Sequence, residues 1–129
     1  MSPKFTFTYT GIRVRDMDRS IAFYRGVLGM QLFDRSEMPE TNGEVAALGT
    51  EGKEHALELN WYADDSPVAE PYRSGEELDH LAFAVDDLDA ALAYLEKEGY
   101  TETLRQEREG AIWTFVRDPD GIHIELFQA

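Results

Sequence analysis

The chain repeats itself. Ile12-Arg13-Val14-Arg15-Asp16-Met17-Asp18 lies over Phe83-Ala84-Val85-Asp86-Asp87-Leu88-Asp89 when the sequence is shifted by 71 positions. The same shift sets Tyr9 on His80, and Tyr24 opposite Leu95, one place beyond Tyr94. Toward the end of each half, Ala56-Leu57-Glu58-Leu59 is echoed by His123-Ile124-Glu125-Leu126, with Glu58 on Glu125 at a shift of 67. The slip of four falls in loops. Each half then reads as a βαβββ unit of about 55 to 60 residues, close to the practical minimum for an independent core. Two such units are expected to pair about a pseudo-twofold axis and join their sheets.

Local signals place the elements. Phe5 to Val14 alternates and has high β-propensity, so it reads as a strand. Asp16 and Asp18 offer N-caps before a helix over Ile21 to Leu28, which Gly29 can end. Strands follow over residues 31–36, 44–48 and 55–61, with Gly43, Gly49 and Gly52 in the turns. Tyr62 to Leu78 has two prolines, several acids and no periodicity, and is a linker or a loop over a site. Residues 79–85 form a strand, Asp86 or Asp87 caps a helix through Lys97, and Gly99 closes it. Strands over 101–106, 111–117 and 122–127 complete the second set. Between the last two, Asp118-Pro119-Asp120-Gly121 has Pro at the second turn position and Gly at the fourth, a type I turn.

The alternation sorts side chains into faces. Ile12 and Val14, Leu57, Leu59 and Trp61, Leu81, Phe83 and Val85, and Ile122, Ile124 and Leu126 belong to the face that takes the helices. The opposite face collects Tyr9, Arg13, Glu58, Asn60, His80, His123 and Glu125, spaced by the small residues Gly11, Ala56, Ala82 and Ala84. A phenol, two carboxylates and an imidazole, two from each half, are therefore expected to converge on a concave groove. His55 falls on the helix side as a surface residue, and Tyr62 and Tyr72 are placed to close over the groove.

Composition narrows the chemistry. The 129 residues contain no cysteine, which removes disulfides, thiolate metal sites and a cysteine nucleophile. Twelve Lys and Arg against 26 Asp and Glu give a net charge of −14, a poor match for nucleic acid, whose phosphates call for a basic surface. Acid excess with only Lys4, Lys53 and Lys97 as lysines also suits a chain adapted to high salt. No signal peptide and no run of about 18 apolar residues is seen, so the chain reads as a cytoplasmic protein with no membrane span. Inward-facing carboxylates cost several kcal/mol per ion unless compensated. Two Glu and one His are best compensated by a divalent cation, with Zn²⁺, Ni²⁺, Co²⁺, Mn²⁺ and Fe²⁺ all suited to nitrogen and oxygen donors.

GIRVRDMDRSIAFYRGVLGM, ALELNW, LDHLAFAVDDLDAALAYLEKEG and DPDGIHIEL together resemble the vicinal oxygen chelate superfamily, and within it glyoxalase I (lactoylglutathione lyase). The likeness spans nearly the whole chain. It implies an α+β fold in which one domain, residues 1–129, is made of two βαβββ modules (about 5–62 and 79–127, with a linker or loop at 63–78). Their curved mixed sheet surrounds a metal-binding groove. By the resemblance, Glu58, His80 and Glu125 hold three of four metal-ligand positions. Tyr9 stands at the first, where the family has His or Gln, and either ligates or hydrogen-bonds a metal-bound water. Arg13 and Asn60 fall at positions that bind the thiol co-substrate.

The implied reaction turns the hemithioacetal of a 2-oxoaldehyde and a low-molecular-weight thiol into an S-2-hydroxyacyl thioester, Glu125 taking the carbon-bound proton and Glu58 helping to return it. The resemblance also implies a homodimer acting on a small molecule. Two other readings stand beside it: a metal enzyme of the superfamily with a different substrate, and a metal-free binder of the bleomycin-resistance kind.

Overall fold

The structure, a computed structural model, describes residues 4, 8–67, 70–73, 78 and 80–129. The chain divides into two compact units, Met1–Tyr72 and Arg73–Ala129. The expected starts of the first and fifth strands, at residues 5–7 and 79, lie outside the described residues.

In the first unit, strand β1 (Tyr9–Arg13) leads into helix α1 (Met17–Ile21), and β2 (Gln31–Met38), β3 (Gly43–Gly49) and β4 (Ala56–Tyr62) follow. The sheet order is β1-β4-β3-β2, with β1 parallel to β4 and the remaining pairs antiparallel. Asp16 is the N-cap of α1, its side chain accepting from the Arg19 N–H at 3.1 Å. Of the two caps open in the sequence, Asp16 fills the role. Asp18 instead accepts from Arg35 at 2.8 Å, tying α1 to β2, while the same guanidinium donates to Glu44 at 2.9 Å. These contacts hold the Arg35 pKa above its ordinary value, the hydrogen bond to Glu44 contributing most and the bond to Asp18 next.

The second unit repeats the order. Strand β5 (His80–Val85) is followed by helix α2 (Leu88–Lys97), then β6 (Leu104–Arg108), β7 (Ala111–Arg117) and β8 (His123–Gln128). Its sheet runs β5-β8-β7-β6, again with the first strand parallel to the last. Asp87 caps α2 by accepting from Ala90 N at 3.0 Å, and Gln128 Oε1 accepts from Leu88 N at 3.0 Å. Each unit is therefore an open four-stranded mixed sheet with a helix after its first strand, the βαβββ order that the repeat implied and the α+β class that the resemblance implied; the first unit adds a 3₁₀ turn at Pro39–Thr41.

The helix-facing residues make the cores. Ile12, Val14, Leu57 and Leu59 of the sheet and Met17, Ile21, Phe23 and Tyr24 of the helical segment are all buried in the first unit. Ile124, Leu126 and Val116 accompany Leu88 and Leu95 in the second.

Two local expectations are corrected. The helix expected over Ile21 to Leu28 begins earlier, at Met17, and widens into a π-helical segment, Ala22–Val27, in which Leu28 N–H reaches the Phe23 carbonyl at 2.9 Å. The wide turn accompanies the complete burial of two consecutive aromatics, Phe23 and Tyr24, whose rings meet edge-on at 5.0 Å. Gly43 and Gly49 lie in β3 rather than in turns. There they allow close approach: a Cβ on Gly43 would stand 2.1 Å from the Trp61 carbonyl oxygen, and one on Gly49 2.6 Å from the Phe33 ring. The turn before β8 forms as expected, Gly121 N–H donating to the Asp118 carbonyl at 3.0 Å, and the Asp118 carboxylate accepts from the N–H groups of Asp120 and Ile122. Asp118 and Asp120 are turn residues.

Candidate functional site

Strand register fixes which side chains share a face, because residues in one cross-strand row point the same way and the face alternates along the strand. In the first unit the rows are Tyr9 with Ala56, Gly11 with Glu58, and Arg13 with Asn60. In the second they are His80 with His123, Ala82 with Glu125, and Ala84 with Phe127. Glu58 and Glu125 thus occupy the same address in their units. Each sits on the closing parallel strand opposite a small residue, two rows beyond that of Tyr9 or His80 respectively and so on the same face. The face grouping read from alternation is the grouping the register gives within each unit.

The carboxylates differ in what stands on their other side. Glu58 is flanked on β3 by Ala47, whereas Glu125 is flanked on β7 by Phe115. The Phe115 ring leans across β8, lying edge-on to His123 at 6.2 Å between centroids and to His80 at 5.9 Å. Glu58 and Glu125 are half-buried, and His80 and His123 exposed. Tyr9 is half exposed, at 50%. Phe115 has no counterpart among the residues singled out from the sequence. Its place is set by the β7·β8 register, which alternation within one strand does not reveal.

Arg13 is held by aromatics. Its guanidinium carbon lies 5.6 Å from the centre of the Tyr62 ring and 5.4 Å from that of Tyr72, and Arg15 approaches the Tyr72 ring at 4.6 Å. These are cation–π distances. They line a cavity of about 600 Å³ that also includes Trp61, Asp64 and Glu70. Asn60 lies beside Arg13, its amide donating to the Ile12 carbonyl at 3.3 Å, and Gly11 leaves the room it needs. Tyr72, beyond β4, therefore lies against Arg13 and Arg15 of the first unit. Residues 68–69 and 74–77 lie outside the described residues. His55, expected at the surface, is exposed and hydrogen-bonds Thr10 at 2.9 Å.

Glu58 belongs to the first unit and His80 and Glu125 to the second. Among the described residues, no three His, Asp or Glu side chains are gathered as a metal cluster. No helix among them is long and apolar enough to cross a membrane.

A duplicated βαβββ unit that sets a carboxylate at the same ladder address in each copy defines a tandem α+β protein whose two sheets each offer an acidic oxygen donor. The chain belongs to the Glyoxalase/Bleomycin resistance protein/Dioxygenase superfamily, whose family model matches residues 6–126. It is 37% identical over 127 residues to the lactoylglutathione lyase of Haemophilus influenzae, spanning 93% of this chain and 90% of that protein. It is equally similar, at 37%, to the uncharacterized protein YwbC of Bacillus subtilis, over 93% of this chain and 94% of that one. Among solved structures, the trypanothione-dependent glyoxalase I of Leishmania major superposes with a TM-score of 0.79 at 30% identity, covering 97% of this chain and 87% of its own.

Proposed function

We propose that this protein is a glyoxalase I-like, metal-dependent lyase that isomerises the hemithioacetal of a 2-oxoaldehyde and a small thiol to an S-2-hydroxyacyl thioester. The observation that carries this reading is the shared register address of Glu58 and Glu125, with His80 two rows from Glu125 on the same face. The likeness to proteins named lactoylglutathione lyase supports it.

The donor set fits a divalent cation. Two carboxylates and one imidazole supply the oxygen and nitrogen ligands that Zn²⁺, Ni²⁺, Co²⁺, Mn²⁺ and Fe²⁺ accept, and half-buried Glu58 and Glu125 call for a counter-charge. Glu58, His80 and Glu125 would hold it, with the Tyr9 phenol at the fourth position or on a bound water. When bound, the ion supplies the Lewis acidity that makes a C–H next to a carbonyl removable.

The chain's own groups then move the protons. The Glu125 carboxylate takes the proton from the thiol-bearing carbon, and Glu58 helps return a proton to the neighbouring carbonyl carbon. The hydroxyl proton passes between the two oxygens, so the product is an isomer of the substrate. Arg13, oriented by Tyr62 and Tyr72, and Asn60 beside it bind and orient the thiol's carboxylate end.

The test is thioester formation from methylglyoxal with a panel of thiols, after reconstitution with each metal. Glu125→Gln is expected to lower kcat by about 10²- to 10⁴-fold, the usual contribution of a positioned base. Tyr9→His is expected to tighten metal binding. If neither wild type nor Tyr9→His turns over with any thiol, and the variant holds metal no better, the lyase reading falls while family membership stands.

A further inference from the structure

We infer that Phe115 is a positioning residue of this site: its ring fixes the His80 imidazole toward Glu125 and keeps it from chelating with His123. The inference rests on the metal-centre reading above. It starts from a conflict built into the ladder. His80 and His123 are direct row partners on adjacent parallel strands, so their imidazoles leave the backbone side by side and on one face. Two imidazoles at that spacing make a nitrogen chelate attractive to the same divalent ions, in competition with a mixed pair of His80 and Glu125.

Phe115 stands against that pairing. It is the cross-strand neighbour of Glu125 on β7, and its ring reaches over β8 to meet both imidazoles edge-on, with interplanar angles of 85° in each contact. One flat side chain thus touches both rings and flanks the carboxylate. The equivalent place beside Glu58 is Ala47, and the row that Tyr9 shares is filled by Ala56, so the first unit holds no second imidazole to be kept apart. The bulky residue occurs only in the unit where two histidines share a row. A phenyl ring has no donor or acceptor, so it can hold an imidazole edge without competing for the cation.

The experiment uses the full-length apo-protein titrated with Co²⁺, read by the visible ligand-field spectrum, for wild type, Phe115→Leu and Phe115→Tyr. Leu keeps apolar bulk without a flat face, and Tyr keeps the ring. Phe115→Leu is expected to bind Co²⁺ with an altered spectrum that reverts when His123→Gln is added, whereas Phe115→Tyr matches wild type. An identical spectrum for wild type and Phe115→Leu overturns the inference, as does loss of the wild-type behaviour in both variants. Wild type that takes up no Co²⁺ overturns the metal reading itself and the inference with it. Should Phe115→Leu not fold, nuclear Overhauser contacts in apo wild type decide. Contacts from the Phe115 ring protons to both imidazoles support the inference, and their absence sinks it.

Discussion

Glu102 shows how one side chain outside the candidate site carries pH dependence. Its carboxylate accepts from Arg105 Nε at 2.8 Å and from the hydroxyl of Thr114, a fully buried residue that also lies 2.9 Å from the Leu104 carbonyl. The hydrogen bond from Arg105, then that from Thr114, holds the Glu102 pKa below its ordinary value of 4.5, against the opposing effect of desolvation. A carboxylate with a lowered folded-state pKa contributes stability that is present above the unfolded value and lost as pH falls through the folded one. Urea midpoints of wild type should therefore fall below about pH 4.5, and Glu102→Gln should show a shallower decline over that window. Parallel acid limbs for the two proteins would assign the loss to other groups. Single residues also mark the boundary of what the sequence discloses. Glu58 and Glu125 stood out because a repeat pairs them. Phe115 touches the same face, yet looks in the sequence like one more strand aromatic, because contact across β8 depends on register.

Helices and strands were legible wherever capping and alternation spoke together. Asp16 and Asp87 begin their helices where the sequence places candidate caps, and the row partners within each unit follow the alternation. The widened turn at Ala22–Val27 was not legible, since apolar positions at 21, 23, 24, 27 and 28 satisfy an ordinary helix equally well. The two β3 glycines were misplaced for a different reason: glycine serves turns and close approaches alike, and only the packing tells which. This distinction is measurable. Gly43→Ala drives a methyl into the Trp61 carbonyl and should cost about 1–3 kcal/mol or more in unfolding free energy. Gly26→Ala meets nothing within 4 Å in its helical segment and should gain up to about 1 kcal/mol. Chemical denaturation of both variants checks the contrast, and a stabilising Gly43→Ala would contradict the close packing of β3 on β4.

Across the molecule, the dominant physical fact is the charge of −14 on 129 residues. Like charges at that density repel in the folded state and are screened over about 3 Å at molar salt, against about 10 Å at 0.1 M. The thermal midpoint should rise steadily from dilute buffer to molar KCl; a midpoint indifferent to KCl would show that self-repulsion is negligible and remove the case for adaptation to a saline interior. The repeat was the most legible property of the whole chain, because it is written in residue identities at a fixed interval.

The parallel pairing of first strand with last, β1 with β4 and β5 with β8, also has a kinetic consequence. In each unit the row that bears the acidic group joins residues more than forty positions apart, as Gly11 with Glu58 and Ala82 with Glu125. Such distant pairings pay their loop-closure entropy before contact rewards them. During synthesis from the N-terminus, the helix and the local hairpins of each unit are available first, and the carboxylate-bearing row closes last. A half-made unit is therefore a chain with much of its local structure and none of its chemistry.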